Sequence, residues 1–380
     1  MNSMRKILVC PDSFKGSLTS RKASEAIEKG LRASGFQGVV EHCELSDGGE
    51  GFASIVELNK NVKKVEITAY DALRREITAE YLIDEEAKTA FIESATTIGI
   101  ERIGPQERDP FNATSMGLGV MINDSLNRGV KEIYVSLGGS AVVDAGMGML
   151  SELGLEFRNI RNELLKGNGR ELSEIYDVDA GGLRPGISGV KFHAVCDVDN
   201  PLLGERGAIR TFAIQKGVRP TDLSFFENGM INYSSRLEQK GITIPGDTNK
   251  KGAGAAGGLG YSLQTVLKAD YISGIEFIKT IVGFREKLTG ADLVITGEGC
   301  VDSQSLMGKV LSGVLEESKR YGVPVLSFGG KVKDRETLIR GGLVDAIEIS
   351  NPELSYLENM KKSRAFQNLR DSVSRFFSKP

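Results

Sequence analysis

The sequence predicts an α/β protein in which a parallel, doubly wound sheet is assembled from the two ends of the chain and a mixed α/β domain is inserted between them. Three observations carry this expectation. Short apolar runs, each followed by a loop and a helical segment, stand at the start of the chain and recur in its last third. From about residue 65 the pattern changes to strict alternation of apolar and polar residues. The 46 glycines gather beside these runs instead of forming Ser-rich linkers. A chain of 380 residues is long enough for two domains, each with its own core.

The first apolar run, KILVC, reads as a strand, followed by the loop PDSFKGSL and a helix from about Ser20. That helix keeps Ala23, Ile27 and Leu31 on one face and stops at Gly35. In the middle, Val65, Ile67 and Ala69, then Ile77, Ala79, Tyr81 and Ile83, alternate with polar residues, and the polar turn DEEAK precedes TAFIES, which reads as an antiparallel meander. The last third returns to the opening pattern: LVIT at 293–296 before a Gly-rich loop and a helix after Gly308, VPVLSF at 323–328 before a helix through Leu338, and VDAIEI at 344–349 before a charged final helix. The expected division is 1–64 with 286–380 against 65–285, with the active site in the cleft between them.

With 48 basic and 51 acidic residues and a net charge of −3, no basic field is available to attract nucleic acid. No segment approaches the ~20 apolar residues of a membrane helix, and the opening apolar run is too short for a signal peptide. Cys10, Cys43, Cys196 and Cys300 form no C-x-x-C pair, and only His42 and His193 could join them around zinc. A soluble cytoplasmic protein with free thiols is expected. Its oligomeric state stays open, a homodimer included.

The segment ADLVITGEGCVDSQSLMGK joins a buried-type strand to a Gly-rich acidic loop and a helix. Gly297 and Gly299 let the backbone approach a ligand, and Glu298 and Asp302 place two carboxylates at the carboxyl end of a strand, where open α/β sheets bind substrates. The plainer reading makes the two acids caps of the next helix. In PDSFKGSL, Lys15 and Ser17 precede a helix N-terminus, an arrangement that can hold an anion. Asp47 and Glu50 flank the glycine pair of DGGEG and either cap a helix or face the cleft. Asp197 and Asp199, two apart after KFHAV, would share one strand face, where Mg²⁺ with oxygen ligands suits them better than zinc. Gln215 and Lys216 add a polar pair beside Gly217.

Gly252, Gly254 and Gly257 have the G-x-G-x-x-G spacing of dinucleotide binders, but ITIPGDTNKK before them is no buried strand. The string GAGAAGGLG is therefore either a phosphate cradle or a helix packed closely through small residues. P-loop, protein-kinase and G-x-S-x-G motifs are absent from the sequence. Glycine loops, acids and a few lysines are the ingredients of phosphoryl transfer, which points to a small-molecule kinase.

Seven blocks in order, PDSFKGSL, DGGEG, GGSA with Asp144, VCDVDNPLLG, QKG, GAGAAGGLG and DLVITGEG, make the chain resemble the bacterial glycerate kinase family, type I, over nearly its full length. The resemblance implies a Rossmann-like domain beside a second α/β domain and ATP-dependent, Mg²⁺-assisted phosphorylation of D-glycerate, giving 2-phosphoglycerate. On that basis Lys15 and Lys216 bind the carboxylate or the transferred phosphoryl group, Asp197 accepts the hydroxyl proton, and Asp199 and Glu298 hold Mg²⁺, with Asp302 as a further metal candidate. Asp12, Ser13, Asp47, Glu50 and Gln215 are assigned to the substrate, and Gly252, Gly254, Gly257, Gly258, Gly297 and Gly299 to the nucleotide. The chain has Val142, Val143 and Ala145 where the family has a polar pair and a glycine, taken as a change in a ligand-facing loop, and Cys300 where an arginine is usual. The alternatives are a kinase for a related hydroxy acid and a non-catalytic sensor of a hydroxy acid or nucleotide on the same fold.

Overall fold

A computed structural model describes residues 4–14, 16–43, 45, 51–306 and 310–378. In chain order the strands are β1 (Lys6–Val9), β2 (Val39–His42), β3 (Lys63–Tyr70), β4 (Glu76–Asp84), β5 (Thr89–Glu93), β6 (Glu132–Ser136), β7 (Glu156–Arg158), β8 (Asp177–Asp179), β9 (Lys191–Val195), β10 (Asp270–Ile272), β11 (Leu293–Val301), β12 (Val325–Val332) and β13 (Leu343–Glu348). The helices are α1 (Ser20–Ala33), α2 (Phe52–Asn59), α3 (Ala95–Ile98), α4 (Met116–Asn127), α5 (Met147–Glu152), α6 (Ala208–Phe212), α7 (Leu223–Gln239), α8 (Ala255–Thr265), α9 (Gly274–Ile281), α10 (Phe284–Leu288), α11 (Val310–Arg320), α12 (Arg335–Arg340), α13 (Tyr356–Asn359) and α14 (Lys362–Phe377). No helix among the described residues is long and apolar enough to cross a membrane. The chain forms two compact units, Met1–Asp47 with Ile275–Pro380, and Gly48–Gly274.

The terminal unit is a five-stranded, wholly parallel sheet in the order β13-β12-β11-β1-β2. From β1 the chain winds one way to β2, and from β11 the other way to β12 and β13, so the winding reverses between β1 and β11. Ile7, Val9, Leu293, Ile295, Leu326 and Phe328 pack with α1 and α14. Helix α1 begins where Thr19 accepts the Lys22 N–H and ends before Gly35, whose φ of +92° breaks the helix. The TGEG segment expected to be a loop is instead strand: β11 runs on to Val301 because β12 continues beside it, pairing Gly297 with Phe328, Glu298 with Gly329 and Cys300 with Lys331. Helix α9 belongs to this unit, where Lys279 forms ion pairs with Glu276 and, at 3.3 Å, with Glu317.

The inserted unit holds a mixed sheet in the order β10-β9-β6-β5-β4-β3. The hairpins β3-β4 and β4-β5 are antiparallel, and β5, β6, β9 and β10 pair in parallel. The short antiparallel pair β7-β8 stands apart. Helix α2 lies with this unit, tied to β5 by the Ala53 N–H, which donates to Glu93 at 3.0 Å. The units therefore divide at 47/48 and 274/275, whereas the sequence pattern suggested 64/65 and 285/286.

Candidate active site

In the terminal unit, a cavity of about 550 Å³ opens at the carboxyl ends of β11 and β12. Asp12, Ser13, Glu298 and Gly299 line it, as the sequence suggested for ligand-facing residues, and so does Cys300. The Asp12 N–H donates to the Gly297 carbonyl at 2.8 Å, carrying the ladder past the end of β1, and Asp12 Oδ1 accepts the Ser13 N–H at 2.6 Å. This places Asp12 at the reversal of winding, where the loops leaving neighbouring strands diverge and open a crevice. Gly297 is required by packing: a Cβ there would lie 2.3 Å from the Phe328 carbonyl oxygen and 3.2 Å from the Phe14 ring.

The other walls were not legible as a site. Lys331, Lys333 and Ser350 supply polar groups, and Phe14, Ile349 and Met360 supply apolar ones. A signal for the lysines was present, since SFGGK at 327–331 repeats the strand-to-glycine pattern of VITGEG. Asp302 follows the plainer reading: its Oδ1 accepts the Gln304 N–H at 2.9 Å and its carbonyl the Ser305 N–H, opening a short 3₁₀ turn. Lys15, Asp47 and Glu50 lie outside the described residues.

The inserted unit carries the remaining candidates. Strand β9 ends at Val195, so Asp197 and Asp199 lie beyond it and the two-residue spacing does not put them on one strand face. Asp197 Oδ1 accepts the Ser273 hydroxyl at 2.7 Å, whereas the exposed Asp199 pairs with Arg206 at 2.8 Å. Gln215 is exposed, and its carbonyl accepts from Arg108 at 2.9 Å.

Lys216 is only 3% exposed. Its Nζ donates to Ser140 Oγ at 2.6 Å and to the Val142 carbonyl at 3.0 Å, so its ammonium serves the 138–146 loop and is not displayed as a surface anion site. Burial pulls its pKa down to about 7, against the opposing charge of Asp144. Asp144 is fully buried and accepts from the Ser115 N–H and hydroxyl, both at 2.7 Å, and from the amides of Gly146 and Gly148. Burial raises its pKa, and these hydrogen bonds oppose the rise. Val142, Val143 and Ala145 lie in the same core, which corrects the expectation that they face a ligand.

The glycine string resolves toward close packing. Gly257 and Gly258 adopt φ of +70° and +92° where α8 is kinked. A Cβ on Gly254, Gly257 or Gly260 would lie 2.3, 2.0 or 1.9 Å from the carbonyl oxygens of Pro201, Val142 and Gly252, respectively. One on Gly252 would meet the Tyr271 ring at 2.6 Å. These glycines are thus explained by the protein's own backbone and rings, with no need of a phosphate.

Among the described residues, no group of three or more His, Cys, Asp or Glu side chains could hold a metal ion alone. Mg²⁺ commonly takes only one or two carboxylates and completes its shell with water and substrate phosphates, and Asp12 and Glu298 in the cavity wall fit that requirement. His193 is a core residue, stacked on Tyr134 and bonded to Glu132 at 2.7 Å.

A doubly wound parallel sheet with an acidic and basic cavity at its carboxyl edge, joined in one chain to a second mixed-sheet unit, defines a small-molecule-binding α/β protein. The chain belongs to the glycerate kinase family, whose model matches residues 7–378. It is 35% identical over 343 residues to the glycerate kinase of Bacillus cereus, covering 90% of this chain and 89% of that one. With the glycerate 2-kinase of Escherichia coli K12 it shares 34% identity over 342 residues, again 90% and 89% of the two chains. A solved structure from Salmonella typhimurium LT2, described as a glycerate kinase 2, superposes with a TM-score of 0.82 at 32% identity, covering 99% of this chain and 98% of that one.

Proposed function

We propose that the protein transfers the γ-phosphoryl group of ATP to D-glycerate at its 2-hydroxyl, giving 2-phosphoglycerate, with Mg²⁺ as the assisting ion. The observation that carries this reading is the cavity at the carboxyl ends of β11 and β12, where carboxylates from Asp12 and Glu298 stand with the ammonium groups of Lys331 and Lys333 in a chain of this family. Phosphoryl transfer needs positive charge for the phosphate oxygens and carboxylates for the metal, and little covalent chemistry from the protein. The similarity to a protein named for the 2-kinase reaction supports the 2-hydroxyl.

Mg²⁺, when bound, neutralises charge developing on the phosphoryl oxygens. Glu298 and Asp12 would hold it, since both line the cavity, whereas Asp302 and Asp199 do not. Lys333 attracts the phosphates, joined by Lys331, whose Nζ pairs with Glu348 at 2.9 Å and would turn from that carboxylate to the phosphates. Asp197, oriented by the Ser273 hydroxyl, takes the proton from the acceptor hydroxyl. Lys216 acts at one remove, by setting the position of Ser140. The protein operates in the cytoplasm.

The test is ADP release by purified protein with ATP, Mg²⁺ and D-glycerate, with the product identified by NMR. Turnover to 2-phosphoglycerate that stops on chelation of Mg²⁺ supports the reading. Silence with D-glycerate and turnover with another hydroxy acid would reassign the acceptor, and ligand binding without any turnover would replace the kinase by a sensor.

A further inference from the structure

The cavity of the terminal unit is larger and more apolar than its acidic and basic groups require. At about 550 Å³ it lies in the range of pockets that enclose a drug-sized ligand, and a three-carbon acid would leave most of it empty. Phe14, Ile349, Tyr356 and Met360 line it, and D-glycerate has no apolar surface to set against such a wall. Phe14 and Ile349 belong to the core under α1 and α14, so that side of the wall is fixed by the sheet.

The opposite end of the wall is mounted with comparable care. Tyr356 is 75% exposed and begins the one-turn helix α13, whose start is capped by Ser355 accepting the Glu358 N–H. Asn359 anchors that turn: its Oδ1 accepts the Asn351 N–H at 2.9 Å, and its Nδ2 donates to the carbonyls of Asn351, Leu354 and Ser355. Asn368 of α14 donates to the same Oδ1 at 2.9 Å. The network fixes the backbone turn that carries Tyr356, so its exposed ring is presented at the cavity from a rigid base.

We infer that this cavity binds the purine nucleoside of the phosphoryl donor, with the base packed against Tyr356, Met360, Phe14 and Ile349 and the phosphates directed to Lys331 and Lys333. The inference rests on the reading above that the donor is a nucleotide, and it adds where the base sits. The glycine string at 252–260, which the sequence offered for this role, is occupied by backbone packing. The cavity wall itself carries two glycines without side chains: Gly299 and Gly330 line it and fall on the same face of β11 and β12 as Ile295 and Phe328.

Cys300 allows a direct test in the unaltered protein, because it lines the cavity and is exposed while Cys10, Cys43 and Cys196 are buried. Iodoacetamide labelling of Cys300, followed by peptide mass mapping, is expected to slow at least about tenfold with saturating ADP and to change little with D-glycerate alone. Tyr356→Ala, at an exposed position, is expected to raise the Kd for ADP about tenfold and leave the KM for the acid unchanged. Unprotected Cys300 at saturating ADP, protection by D-glycerate alone, or a Tyr356→Ala protein with normal ADP affinity would each overturn the inference. Protection by ADP in a protein that fails to phosphorylate D-glycerate would uphold the nucleoside site and remove only the acceptor. Phosphorylation of D-glycerate with Cys300 unprotected would do the reverse.

Discussion

Lys216 Nζ donates a 2.6 Å hydrogen bond to Ser140 Oγ from a position that is almost wholly buried. The pair joins the 3₁₀ turn that follows α6 to the loop after β6, and its consequences are thermodynamic as well as geometric. Burial lowers the Lys216 pKa from 10.5 to about 7. Between those values the unfolded chain holds a proton that the folded chain lacks, so this group makes stability rise with pH; below about 7 both states are charged and the desolvation cost is felt in full.

Lys216→Met should therefore remove a pH dependence. Relative to the variant, the wild type gains about 2 kcal/mol of unfolding free energy between pH 7 and pH 9, from a limiting slope of about 1.4 kcal/mol per pH unit. Urea denaturation of both proteins across that range measures it. Parallel curves would mean that Lys216 titrates near its ordinary value.

Asp144→Asn tests the buried carboxylate that gathers Ser115, Gly146 and Gly148. The substituted amide must turn an N–H toward one of these donors, so the inserted unit loses about 3 kcal/mol in chemical denaturation. A loss below about 1 kcal/mol would show that water or rearrangement satisfies the freed donors.

Asp197→Asn should reduce kcat by about 10²- to 10⁴-fold with the unfolding transition unchanged. Ser273→Ala, which removes the hydroxyl that orients Asp197, should cost about tenfold. Steady-state kinetics separate the two, and near-normal turnover in the Asn variant would take Asp197 out of the mechanism.

Gly257→Ala and Gly186→Ala form a matched pair, both at positive φ. At Gly186 a Cβ meets nothing within 4 Å, so the cost is conformational and about 1 kcal/mol. At Gly257 it would stand 2.0 Å from the Val142 carbonyl, and overpacking adds at least about 2 kcal/mol. Retained stability with weakened nucleotide binding would return the string to the phosphates.

The sequence by itself determined the strand-loop-helix units at both chain ends and the hairpins between, and it singled out Asp12, Glu298 and Gly299, which line the cavity, because periodicity and glycine placement are local properties of the chain. It also held the seven blocks that mark the family. Tertiary structure decided the rest. The acidic TGEG segment became strand because β12 continued alongside it, and the glycines at 252–260 proved to be set by the carbonyls of Val142, Pro201 and Gly252. Lys216 was buried and hydrogen-bonded to Ser140, a residue 76 positions away. Tyr356 and Met360 reached the same cavity as Phe14 although more than 300 residues of sequence lie between them. Such relationships depend on which surfaces the folded chain brings together, and no spacing within a single segment encodes that.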